Sequence, residues 1–248
     1  MHLIIDLKKY LIQSLIKLLP TKSPMIKRIC LFLLVFVTLT DTFAQKQYTS
    51  IKDSDPEAIK LMNSAKSLLQ KSASVSLEYR LTLQEPETKP TIINGIAKQQ
   101  GKKYYVESGD KYFYCDGNSL VVWNRTQNIA QINNLDSKSG QLTPEGLLKE
   151  YDEKKYIFVL SDVITSKTKK LQKIVLKPGN KRSEYSKIEI YIDTKTKLTD
   201  EIKMFMKNGT KSFLKISSVQ LNQKINNNVF TFNKTEHRGV TVDDLRMD

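Results

Sequence analysis

Cysteine, histidine and tryptophan are scarce in this chain, at two, two and one in 248 residues. The shortage sharpens once the N-terminus is read. Lys27 and Arg28 precede an apolar run over residues 29–39, and Thr42-Phe43-Ala44 follows with small residues at −3 and −1. That is the layout of a cleavable secretory signal, cut after Ala44, and its apolar run is too short to cross a bilayer. Cys30 stands at the front of the run with no small residues before it, which makes it a poor lipid-attachment site. Residues 1–24 are a Leu/Ile/Lys mix of short amphipathic type, and Met25 is the more natural start. The expected organisation is therefore an N-terminal extension plus signal over 1–44 and one domain over 45–248.

The domain keeps one cysteine, Cys115, and one histidine, His237. It can form no intramolecular disulfide and no multi-His or Cys/His zinc site, and no Cys–His pair unless those two residues meet. Also missing are a Gly-x-Ser-x-Gly elbow, a phosphate loop and a His-Glu-x-x-His helix. Asp243-Asp244 is no carboxylate pair, because neighbours on a strand face opposite ways. No enzyme and no cofactor is expected. Cys115 reads as a small buried hydrophobe in a strand.

Charge is plentiful, with 40 Lys and Arg against 26 Asp and Glu, a formal net charge of +14. Nucleic acid, anionic lipid and acidic proteins are all compatible with that sign. The lysines, however, alternate with apolar or acidic residues along many segments, as solvated sheet faces do. Export and one-faced aliphatic strands argue against nucleic acid.

The organising stretch is residues 53–84. Ala58, Leu61, Met62, Ala65, Leu68 and Leu69 repeat at helical spacing over 54–71, giving one apolar stripe. Ser54 or Asp55 is placed to cap this helix, and Pro56 fits its first position. Val75, Leu77, Tyr79, Leu81 and Leu83 then alternate with polar residues, the mark of a strand with one dry face. Short strands follow near 91–99, 103–107, 111–115, 119–124 and 128–133, divided by Pro86, Pro90, Gly101, Gly109 and Gly117. Residues 140–151, with Thr143-Pro144 and Leu147-Leu148, read as a helix of about two turns. Strands resume near 156–160, 171–176, 187–192, 201–207 and 211–221, with Asn208-Gly209 as the strongest hairpin signal, one that wants φ > 0 at both positions. A last short strand is expected at 229–232. The sum is a mainly β fold of about eleven antiparallel strands and two helices, with no βαβ rhythm. Such a sheet curls its dry face inward. Composition leaves two readings open, a filled core or a cavity for an apolar ligand.

Here the residues reach a family. Val229-Phe230-Thr231-Phe232, followed by Gly239-Val240-Thr241-Val242-Asp243-Asp244-Leu245-Arg246, resembles the ending of the periplasmic lipoprotein carrier family, LolA. Three pieces agree in order and spacing: the helix running into an alternating strand, Cys115-Asp116-Gly117-Asn118-Ser119-Leu120, and Thr143-Pro144 before a Leu-rich helix. The likeness covers residues 50–248, and the Asn-rich stretch at Ile132-Asn133-Asn134 is similar to Bacteroidetes members. The resemblance implies an incomplete, half-open antiparallel β-barrel whose concave apolar face is lidded by the N-terminal helix and the short helix. It implies a periplasmic carrier that shelters the acyl chains of lipoproteins between the inner and outer membranes. The partners implied are acylated lipoproteins, an inner-membrane lipoprotein-releasing transporter and an outer-membrane acceptor, with the carrier a monomer. A lipid- or lipoprotein-sensing regulatory module on the same fold is the alternative.

Two positions depart from the family. Its Leu-Trp-x-Tyr strand reads Leu120-Val121-Val122-Trp123 here, and Gln100-Gly101 stands where the family places an Arg-Pro whose arginine ties the lid shut. No residue is carried over for that tie. The expected acyl-chain site comprises Leu77, Tyr79, Leu81, Trp123, Ile190, Met204 and Met206, under a lid carrying Leu61, Leu68, Leu147 and Leu148. The methionines suit a cavity, since thioethers adapt to variable apolar shapes.

Overall fold

Twelve strands among the described residues hydrogen-bond into a single sheet. The structure, a computed structural model, describes residues 47–135 and 143–246. The leader, the Met25 start, the Ala44 cleavage and the first three residues of the helix expected at 140–151 lie outside that range.

Helix α1 (Pro56–Lys71) leads into β1 (Val75–Gln84) with only Ser72-Ala73-Ser74 between them. A meander follows: β2 (Thr91–Gln100), β3 (Lys103–Ser108), β4 (Lys111–Cys115), β5 (Ser119–Asn124) and β6 (Ile129–Asn134). After the four-residue helix α2 (Gly146–Lys149) comes a second meander. It comprises β7 (Tyr156–Thr165), β8 (Lys170–Pro178), β9 (Tyr185–Asp193), β10 (Thr199–Met206) and β11 (Lys211–Leu221). β1 and β11 join the two meanders in an antiparallel ladder from Val75↔Leu221 to Gln84↔Lys211. β12 (Thr241–Asp244) returns to lie parallel to β6. In the order β12-β6-β5-β4-β3-β2-β1-β11-β10-β9-β8-β7 the sheet does not close, and its edges are β12 and β7.

Three local expectations change. Residues 229–232 form no strand; Asn227–Phe230 is a 3-10 turn. Val-Phe-Thr-Phe favours β structure, but the Asn226 side chain accepts a hydrogen bond from the Asn228 N–H at 3.0 Å and bends the chain first. At Asn208-Gly209 only Gly209 takes a positive φ, of 89°. Gly209 N–H donates to Met206 C=O and Met206 N–H to Thr210 C=O, which is a three-residue hairpin with a glycine bulge. Asp55 occupies the N-cap position of α1 without capping it. Its carboxylate instead accepts from the Leu160 N–H at 2.8 Å and the Tyr48 hydroxyl at 2.7 Å. The capping side chain has been spent on docking the helix to edge strand β7. Asp55 N–H also donates to Phe158 C=O, and Phe158 N–H to the Ser54 hydroxyl.

α1 buries Ala58, Met62 and Ala65 against the sheet. They join Phe158, Ile174, Leu176, Ile188, Ile190, Ile192, Ile202 and Leu214 in the main apolar cluster. A second cluster around Leu77, Ala97, Tyr104, Val106, Cys115 and Ile216 continues the same face across the first meander.

Candidate functional site

Cross-strand register fixes which side chains share the covered face. Leu81 pairs Leu214, Leu214 pairs Ile202, Ile202 pairs Ile190 and Ile190 pairs Ile174. Directly opposed residues point the same way, so these five form one apolar row beneath α1. Met204 continues the neighbouring row through Ile188 and Leu176 to Phe158. On the other side of the seam, Leu77 pairs Ala97, which pairs Val106. Tyr79 packs against both clusters. Its ring lies over Gly95, where a Cβ would sit 2.3 Å from Tyr79 Cζ and from the Glu107 carbonyl oxygen. The Tyr79 hydroxyl donates to that same oxygen at 2.9 Å.

The cover has two parts, held differently. α1 is pinned at its start by the Ser54 and Asp55 bonds to β7. Just past its end, Ala73 N–H donates to the Asn222 side chain at 2.8 Å and Asn222 N–H to Ser74 C=O at 2.9 Å. Residues 143–151 are tied mainly by side chains. The Gln99 amide group accepts from the Glu145 N–H at 3.1 Å and donates to the Glu145 carboxylate at 3.2 Å. Lys66 Nζ donates to Tyr151 C=O at 2.7 Å. Burial pulls the Lys66 amine below its ordinary pKa, opposed by Asp152 and Glu153. Leu148 is fully buried, and Leu147 touches both clusters. Between this segment, α1 and the sheet remains a cavity of about 20 Å³, lined by Ala65, Leu69, Leu77, Pro144, Leu147, Leu148, Lys197, Leu198, Thr199, Ile216 and Val219. The apolar face is thus largely filled by the segments packed on it.

Nine of the expected site residues fall on or beside this face. Leu77, Ile190 and Leu148 are buried there, and Leu61, Tyr79, Leu81, Leu147 and Met204 pack against its core. Met206 is half-buried opposite Tyr185 at the end of β10. Leu68 lies instead along the outer side of α1, among Lys60, Ser64, Ser67 and Lys71. Trp123 requires a correction. It pairs Tyr112, which pairs Glu107, which pairs Ile96, which pairs Glu78. Glu78 is the neighbour of Leu77, so Trp123 points from the opposite face. There it stacks with Tyr112, Phe232 and His237, at ring centroid distances of 4.8, 6.3 and 4.0 Å. The same register separates Cys115, in the second cluster, from His237, so the two do not meet. Among the described residues no group of three or more His, Cys, Asp or Glu could hold a metal.

Sequence reasoning missed Gln99 and its contact with Glu145. The two are 46 positions apart, and no periodicity links a strand residue to a loop at that range.

Residues 112–233, from β4 past the turn after β11, match the family model described as "Outer membrane lipoprotein carrier protein LolA". Over those residues this chain is similar to the LolA family. The LolA match takes in the 143–151 cover and all of the second meander, while α1 and β1–β3 precede it. No curated protein matches the chain. Among solved structures, an uncharacterized conserved protein from Thermus thermophilus is 8% identical, with a TM-score of 0.48 over 76% of this chain and 97% of that one. A LolA superfamily protein from Nitrosomonas europaea is 11% identical, with a TM-score of 0.38 over 71% and 97%. Lipoprotein LppX from Mycobacterium tuberculosis is 12% identical, with a TM-score of 0.38 over 70% and 99%.

Proposed function

We propose that this protein is a periplasmic carrier that shelters lipoprotein acyl chains on the apolar face of its LolA-like domain. The observation that carries the reading is a face of aliphatic rows filled by a separable cover. Residues 143–151 put Leu147 and Leu148 into the interior, yet side-chain bonds to Gln99 and Lys66 do much of the holding. α1, fastened at both ends, is the fixed wall, and the 143–151 segment is the part that yields.

Self-filling answers an energetic problem. Sheltering acyl chains is worth about 0.8 kcal/mol per CH₂, so three long chains come to roughly 30 kcal/mol. Non-covalent binding saturates near about 20 kcal/mol, and a carrier must also let go. Displacing the cover offsets part of the gain, so net affinity stays moderate and the ligand can pass on to a deeper acceptor. The carrier performs no covalent step. An inner-membrane lipoprotein-releasing transporter is the donor and an outer-membrane site the acceptor.

The test is to purify the protein from the periplasm of producing cells and identify by mass spectrometry what co-elutes. Acylated N-terminal peptides in roughly stoichiometric amount are the expected result. Free lipid without peptide, or a membrane-anchored regulator, would overturn the carrier reading in favour of a sensing module.

A further inference from the structure

Beside the covered face the sheet forks. β10 and β11 pair from Phe205↔Lys211 to Glu201↔Lys215 and no further. β11 runs on to Leu221, joined only to β1 along that stretch. An irregularity marks the point of divergence on each strand. The β10–β9 register shifts between Thr199 and Glu201, leaving Asp200 unpaired. The β11–β1 register shifts between Ile216 and Ser218, leaving Ser217 unpaired. Extra residues of this kind bend a strand and end its pairing.

The gap has a volume of about 240 Å³. A water molecule takes about 30 Å³ of liquid, so this is room for several waters or a short run of extended backbone. One wall is Leu198, Thr199 and Asp200, and the other is residues 216–219. In an antiparallel strand alternate backbone N–H and C=O groups face each side, so the free edge of β11 offers a peptide-bonding ladder to whatever enters. Asp200, only 5% exposed, bridges Lys169 and Lys215 at the rim.

Two observations tie the fork to the apolar interior. Leu198, Thr199, Ile216 and Val219 line both the fork and the cavity beneath the cover, so the two spaces share a wall. Thr199 is 8% exposed, and its hydroxyl is one of two buried side-chain polar atoms without a hydrogen-bond partner among the described residues. An unmet hydroxyl in a shared wall is a site for a polar group of a ligand.

We propose that the fork between β10 and β11 is the port through which the peptide end of an acylated protein leaves the interior. The acyl chains lie under residues 143–151, and the residues following the acylated cysteine pair with the free edge of β11. This rests on the carrier reading and adds to it where the two chemically unlike halves of the cargo part company. An acyl chain has no use for the fork's polar rim, and a peptide has no place among the aliphatic rows. Strand addition to an exposed edge is an established mode of peptide recognition.

The test compares a synthetic dipalmitoylated cysteinyl peptide, palmitate and lysophosphatidylcholine, using the chain as purified from producing cells. Amide hydrogen exchange needs no variant. The lipopeptide is expected to slow exchange at alternate residues of 216–221, while palmitate and lysophosphatidylcholine leave those amides unchanged. A plug at the mouth, Ser218→Trp, should weaken lipopeptide binding about tenfold, the loss of one or two hydrogen-bonded contacts, and change palmitate affinity by less than about threefold. Asn63→Trp, on the exposed side of α1, controls for the added bulk. Protection by all three ligands alike, or unaltered lipopeptide exchange and affinity, overturns the port while leaving the carrier intact. Wild-type protein that takes up neither palmitate nor lipopeptide overturns the carrier reading and the port together.

Discussion

Gln99 shows how much rests on a single side chain. It belongs to β2, on the same face as Tyr104 and Val75, and both atoms of its amide hold Glu145. The position where the family's arginine was sought, Gln100-Gly101, is one residue further on, and Gln100 points from the other face. Gln99→Leu keeps the bulk and removes the polar tie. The cover should then open more readily, raising the affinity for a fluorescent fatty acid about fivefold for a contact worth about 1 kcal/mol. Titration of both proteins measures it, and equal affinities would remove Gln99 from the closing contact. Asp200 makes a prediction in pH. Burial alone would push its carboxyl up, but hydrogen bonds and charge from Lys169 and Lys215 outweigh it and hold the pKa below the ordinary value. A carboxylate depressed in the folded state adds stability that is complete above its unfolded value, near about 3.9, and is lost as pH falls through the folded value. Thermal melts of Asp200→Asn should therefore run below wild type at neutral pH and converge with it at strongly acidic pH. A constant gap across that range would mean the charge is not the cause.

At the level of elements, period-two and period-3.6 patterns were legible because burial imposes them. α1, β1, β4, β5 and β11 fall where alternation and helical spacing place them. β7–β10 run longer than their apolar cores suggested, because polar residues at strand ends satisfy the ladder as well as apolar ones do. The inner aliphatic rows were legible in part: Ile190 and Met204 stood out, and alternation along β10 puts Ile202 on the face of Met204, whereas Ile174 joins them only through register. Trp123 was misread for the same reason. Parity within one strand does not say which face is covered, and four strand pairings separate it from Leu77. The helix expected at 140–151 is one turn, residues Gly146–Lys149, too short to be stable without its packing. Leu147→Asp should therefore undock the whole segment. The expected outcome is a melting temperature several degrees lower, for a loss of about 2 kcal/mol, and altered partition of a fluorescent fatty acid. An unchanged partition would mean that residues 143–151 do not gate the face.

Across the molecule, the C-terminal segment serves the face that the cover does not. Phe232 and His237 stack on Trp123, Val240 is buried beside it, and β12 supplies the sheet's single parallel pairing. Deleting residues 239–248 strips Val240 and reopens the edge of β6. The chain's sole tryptophan reports the result: red-shifted emission, a stability loss of about 2 kcal/mol from the lost apolar burial, and self-association through the bared edge. Unshifted emission from a monomer would show that the segment is dispensable. The covered face and its reverse are thus packed by separate parts of the chain, residues 143–151 with α1 on one and the C-terminal segment on the other.

The seam between β1 and β11 has a bearing on how the protein comes into being. Each meander is stitched from neighbours in sequence and can assemble as soon as it is made. The joint between them must wait, since its partners are Val75 and Leu221, nearly the whole length of the sheet apart along the chain. α1 sits just ahead of the first meander yet fastens to β7 in the second, across that joint. Until the last third of the polypeptide arrives, the helix has no floor to rest on and the aliphatic rows stand bare. A newly made chain therefore passes through a stage in which its own apolar face stands open to water until the seam closes.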